Sequence, residues 1–492
     1  MPLRTLSARS ALCAGLLVTA GCMVGPDPTS PNLVLPDSWH TDLVDGMEAD
    51  AWSPHAWWRT FGDPLLDELI ASAERNNLDL RIAESRIREA RAAFGIAAAD
   101  LFPQMSLDAA SYYREGVPSN VQSVDTDEEY YSGTLDLGWE IDLWGRVRRS
   151  MQSAEYQVLA KIEDLRDALV SIRAEVARSY LEARSLQGQR AAILTEVDTR
   201  KKTLDLVQDQ YKMGVTNELE VAQAQAQLAD AMALLPSYEE EIADAVNRIS
   251  ILLGAAPGPL RDRIQDTFDP ANPVPMPSET IAVGIPADTI RRRPDVRAAE
   301  RSLMSAVADI GVAEAALYPT LKINGTGGFS STSFRDWLDV NNLGSLIEIE
   351  VSWPFFTAGR LRSVVKARDE MAEQALLQYE QTVLGAIGEV ENAIIAYAST
   401  IDERDRLQRA VDAYGNAERL ALARYEAGRD DLQNLLTVER LALEAVQKLA
   451  QAEGQVASNV VGLYKALGGA WEIREDPTRT FADMPESEEE RG

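Results

Sequence analysis

Side chains capable of nucleophilic or metal chemistry are scarce in this sequence, and the few that occur crowd its N-terminus. The cysteines are Cys13 and Cys22, and the histidines are His40 and His55. Beyond His55 there is no material for a disulfide, a thiolate metal site or a nucleophile–imidazole pair. Carboxylates are plentiful, but no His, Cys or glycine-rich phosphate loop accompanies them. An enzyme is the least favoured reading, and no cofactor or metal is expected. With 78 acidic against 48 basic residues the formal net charge is −30, which repels polyanions and excludes nucleic acid as a natural partner. Glu486, Glu488, Glu489 and Glu490 give part of that charge to a solvated tail.

The one cysteine with a recognisable setting is Cys22. Arg4 and Arg9 precede a short apolar stretch, Ala11 to Ala20, with the proportions of a signal peptide. It ends in Thr19-Ala20-Gly21-Cys22, which looks like a bacterial lipobox, although Thr19 stands where a bulky aliphatic residue is usual. Cys22 is then the acylated first residue of the mature chain; the alternative is an ordinary signal peptide with an incidental cysteine. A single lipid anchor holds weakly unless something else inserts. No later stretch offers 18 uncharged apolar residues, so any membrane crossing must be built from strands.

The elements beyond this point occur twice. Asp79 matches Asp295 and Phe102-Pro103 matches Tyr318-Pro319, at an offset of 216. Gly145-Arg146 matches Gly359-Arg360, Tyr211 and Gly214 match Tyr425 and Gly428, and Leu253-Gly254 matches Leu467-Gly468, at an offset of 214. Five landmarks in one order establish a duplication. Each half reads as helix, two strands, long helix, helix. The first helix is expected from Pro64 to Leu101 and its counterpart from Pro286 to Leu317, each closed by the proline that follows.

After those prolines the apolar period changes from 3.6 to 2. Leu135, Leu137, Trp139, Ile141 and Leu143 alternate with Asp136, Gly138, Glu140 and Asp142. Ile347, Ile349, Val351, Trp353 and Phe355 alternate with Glu348, Glu350, Ser352 and Pro354. Their partners are Met105 to Tyr113 and Leu321 to Phe329. Such strands have one apolar and one acidic face, and their length suits a tilted bilayer crossing; a soluble sandwich edge is the competing reading. Turns at Trp144-Gly145-Arg146 and Ala358-Gly359-Arg360 then open very long helices with heptad-like spacing. From Arg146 to Lys212 such a helix spans roughly 100 Å, with Gly188, Gly385, Gly388 and Gly415 as candidate breaks or bends. Gly214 and Gly428 close these helices, and helical pattern resumes at Glu218 and Leu432, so the chain turns back as two hairpins.

The organisation expected is a lipoprotein signal peptide over 1–21, a lipidated irregular segment over 22–63 and a first repeat over 64–253. A proline-rich connector over 254–285, a second repeat over 286–468 and an acidic tail over 469–492 complete it. Four strands cannot close a barrel, and open edges are not tolerated in lipid. Strands must therefore be pooled between copies, eight from a dimer or twelve from a trimer.

At this point the residues carry a family resemblance. Ile285-Pro286 through Ile290-Arg291-Arg292-Arg293-Pro294-Asp295-Val296-Arg297-Ala298-Ala299-Glu300 resembles the mid-chain signature of TolC-like outer-membrane efflux proteins. Cys22-Met23-Val24-Gly25-Pro26-Asp27-Pro28 and Leu463-Tyr464-Lys465-Ala466-Leu467-Gly468-Gly469 look like the lipoprotein branch serving multidrug pumps. The resemblance implies an α+β, internally duplicated fold, with a long α-helical periplasmic barrel continuing into a transmembrane β-barrel completed by trimerisation. It implies a Gram-negative outer-membrane location, a homotrimer, a periplasmic adaptor and an inner-membrane transporter of the resistance-nodulation-division type. The function implied is passive passage of drugs and other small molecules; a duct for protein secretion and a non-conducting coiled-coil scaffold are the alternatives.

The same resemblance places adaptor docking at the tips carrying Tyr211, Gly214, Tyr425 and Gly428. It also places the pore constriction just past the second tip. There relatives carry aspartates where this sequence has Asn434 and Thr437, so the acidic ring is expected to be weak or displaced toward Asp430, Asp431 or Glu439, with Arg440 nearby.

Overall fold

The computed structural model describes residues 23–31, 35–44, 47–48, 56–114, 128–277, 280–469 and 471. The expected signal peptide, Cys22 and the acidic tail beyond 471 lie outside the described residues. Strands β1 (Met47–Glu48), β2 (Gln104–Arg114), β3 (Glu128–Ile141), β4 (Ile281–Ala282), β5 (Thr320–Ser331) and β6 (Leu343–Ser352) alternate with ten helices among those residues. The helices are α1 (Pro64–Asn76), α2 (Leu78–Ala99), α3 (Arg146–Lys212), α4 (Glu218–Ala233), α5 (Leu235–Leu252), α6 (Leu260–Asp266), α7 (Pro286–Arg292), α8 (Pro294–Ala315), α9 (Arg360–Glu426) and α10 (Leu432–Ala466). The duplicated α+β fold read from the sequence is thus present, with α3 and α9 each 67 residues long.

The chain divides into two compact units. One gathers Arg86–Lys161, Ala298–Glu380 and the described N-terminal residues up to 31. It holds a four-stranded antiparallel sheet in the order β2-β3-β5-β6. The other gathers residues 162–297, the described part of 33–85 and the chain from Gln381 onward. Its core packs Trp57, Leu66, Ile70, Tyr180, Ile249 and Val460, and Trp57 stacks on Tyr464 with ring centroids 5.0 Å apart. The short parallel pair β1–β4, in register at Met47↔Ile281, also belongs to this unit. Neither it nor helix α6 is legible in the proline-rich segment that the sequence reading treated as irregular.

Several boundaries differ from expectation for local reasons. The helix expected over Pro64 to Leu101 is broken at Asn77, and that over Pro286 to Leu317 at Arg293. Both breaking residues are extended, with ψ near 130°. Pro294 imposes this on Arg293. At Asn77 a cap does it: the side-chain oxygen accepts from the N–H groups of Asp79 and Leu80 at 2.9 and 3.1 Å. Gly188, Gly385, Gly388 and Gly415 break nothing, and α3 and α9 run through them. At Gly188 a side chain would instead meet Pro273. The return arm of the first hairpin does break, at Leu234, where Pro236 stands at the start of α5; α10 has no internal proline and runs for 35 residues. Trp353 and Phe355 lie just past the end of β6, before and after Pro354.

The two breaks do the same work in each half. Asn77 Nδ2 donates to the carbonyl of Leu252 at 2.8 Å, and Arg293 Nη1 donates to that of Ala466 at 2.6 Å. Each thereby binds the end of a returning hairpin helix, whose last carbonyls lack helical partners. Gly254 and Gly468 follow with φ +65° and +76°, so close to Asn76 and Arg293 that a Cβ would overlap the Asn76 carbonyl or the Arg293 side chain. Gly254→Ala should therefore lower stability by about 1–3 kcal/mol through backbone strain alone. Gly385→Ala, in open space within α9, should be neutral or slightly stabilising; thermal denaturation of the two variants checks the contrast.

Candidate functional site

The sheet keeps its two faces distinct from edge to edge because the registers align like with like. Met105 pairs with Leu137, Leu137 with Gly325 and Gly325 with Ile347. Trp139 pairs with Ile323, and Ile323 with Ile349. On the opposite face Ser106 pairs with Asp136, Asp136 with Thr326, and Glu140 with Lys322, which pairs with Glu350. That face is laced by hydrogen bonds: Thr134 and Thr326 hydroxyls both donate to Asp136, at 2.8 and 2.5 Å. On the apolar face several side chains lie open among the described residues. Leu107, Ile347 and Phe355 are each about 80% exposed. No helix among the described residues is long and apolar enough to cross a membrane.

At the base of the sheet, in the same unit, the repeat shows again. The indole N–H of Trp139 donates to the carbonyl of Leu101 at 2.9 Å, and that of Trp353 to the carbonyl of Leu317 at 3.1 Å. Here also the first described residues are locked in place. Val24 N–H donates to the Trp144 carbonyl at 3.1 Å. The fully buried Arg149 guanidinium reaches the carbonyls of Val24 and Gly25, both at 3.1 Å, Asp27 at 2.8 Å and Gln152 at 2.8 Å. Gly25, at φ +86°, packs so tightly on Gly311 that a side chain would overlap its backbone. Arg149 was not singled out in the sequence; its Arg-Val-Arg-Arg setting after the turn was the only signal.

In the other unit the hairpin tips are built alike. Gly214 (φ +74°) and Gly428 (φ +63°) occupy the left-handed conformation. Val215 N–H donates to the Gln210 carbonyl and Arg429 N–H to that of Arg424, each at 2.9 Å, closing α3 and α9 with one motif. Asn217 then caps α4 and Asp431 caps α10. The matching tyrosines have diverged. Tyr211 is exposed, whereas Tyr425 is buried, with its hydroxyl 2.8 Å from Gln210 Oε1 and 3.3 Å from Glu220 Oε2. Burial, reinforced by Glu220, pushes this phenol up to about 12, so it stays a neutral bridge between the two hairpins.

A family model described as outer membrane efflux protein matches residues 69–255 and again 285–469. The chain belongs to the outer membrane efflux protein family. The double match coincides with the duplication. Among relatives, the solvent efflux pump outer membrane protein SrpC of Pseudomonas putida is 29% identical over 470 residues, 94% of this chain and 98% of that protein. The pyoverdine export outer membrane protein OpmQ of Pseudomonas putida is 30% identical over 460 residues, 92% of this chain and 96% of that one. The solved outer-membrane channel OprN superposes with a TM-score of 0.83 at 32% identity, covering 92% of this chain and all of that one.

Within this efflux-protein fold the residues considered for a pore constriction sort into two environments. Asp430, Asp431, Asn434 and Thr437 cluster at the start of α10. Asp430 accepts from Asn434 Nδ2 at 2.9 Å and pairs with Arg424 at 3.1 Å; the Asn434 amide and Arg424 hold its carboxyl below the usual carboxylate range. Asp431 is committed to the helix cap, accepting from Asn434 N–H at 2.8 Å. Thr437 donates to the Gln433 carbonyl, and Arg440 pairs with Glu444. Glu439, a candidate for the constriction in the sequence, is buried at 2% exposure. Its position in the helical period puts it with Leu432, Leu435, Leu436 and Leu443, on the packed face of α10.

Because Tyr425 bridges the hairpins and Tyr211 does not, Tyr425→Phe should loosen the tip by about 0.5–1.5 kcal/mol. Tyr211→Phe should be silent. Amide hydrogen exchange around 207–220 reads the difference.

Proposed function

We propose that three copies of this chain form the outer-membrane exit duct of a tripartite efflux pump and pass small molecules outward without chemistry of their own. The observation that carries this reading is the four-stranded sheet with one continuous apolar face, one polar face and both edge strands, β2 and β6, unpaired among the described residues. In lipid, unpaired backbone groups cost several kcal/mol each, so β6 of one copy must meet β2 of the next until the sheet closes. Three copies give a twelve-stranded barrel with the Asp136–Glu140–Glu350 face toward a wet lumen.

Cys22 is proposed as the acylated first residue. The lock of Val24, Gly25 and Asp27 onto Arg149 supports it, because it puts residue 23 against the turn at Gly145 that ends the strands. An acyl chain there would start at the foot of the sheet. The tips carrying Tyr211, Gly214, Tyr425 and Gly428 are proposed to meet a periplasmic adaptor that links the duct to an inner-membrane transporter, one of the resistance-nodulation-division type. The constriction is assigned to the Asp430–Asp431–Asn434–Thr437 cluster. Names of relatives support a small-molecule cargo: solvent for one and pyoverdine for another.

Ile349→Arg, on the apolar face and further into β6, should impair barrel assembly by roughly 2–4 kcal/mol per site near the bilayer midplane. Glu350→Arg, one residue away on the polar face, should assemble normally and lower the cation preference of single channels in planar bilayers. Equal tolerance at both positions would remove the lipid and lumen assignment. Mass spectrometry of the mature N-terminus should find Cys22 acylated; cleavage at another bond or a free thiol would overturn the anchor.

A further inference from the structure

The packing between the two hairpins conceals a group that the duct reading does not use. Glu439, on α10, is one of three carboxylates drawn together with a single guanidinium. From α3 come Glu196, Arg200 and Thr203, all buried. From α9 comes the partly buried Glu418, and from α4 the uncharged Gln227. Arg200 is already committed: Nε donates to Glu196 at 2.7 Å, and Nη1 to the backbone and side-chain oxygens of Gln227 at 2.7 and 3.2 Å. Among the described residues Glu439 receives a single hydrogen bond, from the Thr203 hydroxyl to Oε1 at 2.7 Å, and its Oε2 is buried with no partner. On α10 itself, Arg440 points to Glu444 and offers nothing to Glu439.

An ionised carboxylate held by one hydroxyl, with an oxygen bare and two further acids near it, is poorly stabilised; a protonated carboxyl suits the site. Burial pushes the Glu439 carboxyl up to about 7, with Glu196 and Glu418 adding to the effect against Thr203 and Arg200. Burial also raises Glu418. Room for hydration lies close by. Gln227, the partner of Arg200, also lines a polar cavity of about 160 Å³ with Gln223, Gln433, Thr437 and Arg440, space for about five waters.

We propose that Glu439 is a proton-operated latch between the hairpins: protonated it stays dry against Thr203, and ionised it draws water in and loosens α10 from α3. The direction follows from linkage. A carboxyl near 7 when packed and near 4.5 when hydrated favours the packed state fully below about pH 4.5. That preference is lost progressively up to about pH 7 and is constant above it. The latch concerns packing within one chain, so it stands or falls independently of how many copies assemble.

Hydrogen exchange of the full-length protein in detergent, along residues 199–206 and 435–443, tests this across pH 5 to 8.5. Glu439→Gln, uncharged at every pH, controls for the chemical rise of exchange with pH. The ratio of parent to variant opening should climb about tenfold or more between pH 5 and 7 and then level off. A flat ratio overturns the latch. Thr203→Val provides a second arm that keeps Glu439 in place: without the hydroxyl that favours the ionised form, the climb should extend to higher pH. An unshifted climb overturns the proposal equally.

Discussion

The constraint on which this molecule depends is the fate of backbone hydrogen-bonding groups at the two edges of its sheet. Within one chain β3 and β5 are satisfied on both sides, while β2 and β6 each leave a row of N–H and C=O groups open. A soluble protein would blunt such edges with charge, proline or a covering loop. Here β6 instead carries Ile347, Ile349 and Val351 exposed. On the proposed reading, a second copy would satisfy the open edge and a non-aqueous surround would take up the apolar face. The helices obey the same accounting: their ends are closed by Gly214, Gly428, Asn217 and Asp431, so no helix end at the tips is left bare.

Duplication supplied most of these solutions twice, and comparison of the copies separates geometry from chemistry. Where both halves keep a residue type, a backbone need explains it, as with the left-handed glycines or with Trp139 and Trp353 on their helix carbonyls. Where the halves diverge, the chemistry differs. Asn77 needs only to cap α2 and hold Leu252. Arg293 holds Ala466 by the same route and also engages Asp295 at 2.7 Å and Glu389 at 2.6 Å. Tyr425 went inward to bridge Gln210 and Glu220, while Tyr211 stayed outside.

Much of this was legible in the residues. Alternation from Leu135 to Ile141 fixed the strand faces, and the registers later aligned them. Helix starts at Arg146, Glu218 and Leu432 were marked by glycine turns and agree with the structure. What escaped has a common cause: it depends on partners far away in sequence. The break at Asn77 needs a carbonyl at Leu252, the β1–β4 pair joins residues more than 230 apart, and Arg149 acts on the chain start. The burial of Glu439 was readable from its helical phase with Leu435 and Leu436. It was obscured by treating the acids after Gly428 as a set defined by charge and not by position.

The seat of the N-terminal segment also orders events in time. Gly25 and Arg149 are made early, but Gly311, which closes over Gly25, is 286 residues further on. Contacts of such sequence separation form late and slowly, since the intervening loop must first be closed. The seat beside Cys22 is therefore completed only when the second repeat has been synthesised and Gly311 has closed over Gly25. Any acyl group on Cys22 would tether an unfinished chain to the bilayer during that wait. It would raise the local concentration of neighbouring unfinished chains in one plane, with the packing of Gly25 on Gly311 among the last contacts to form.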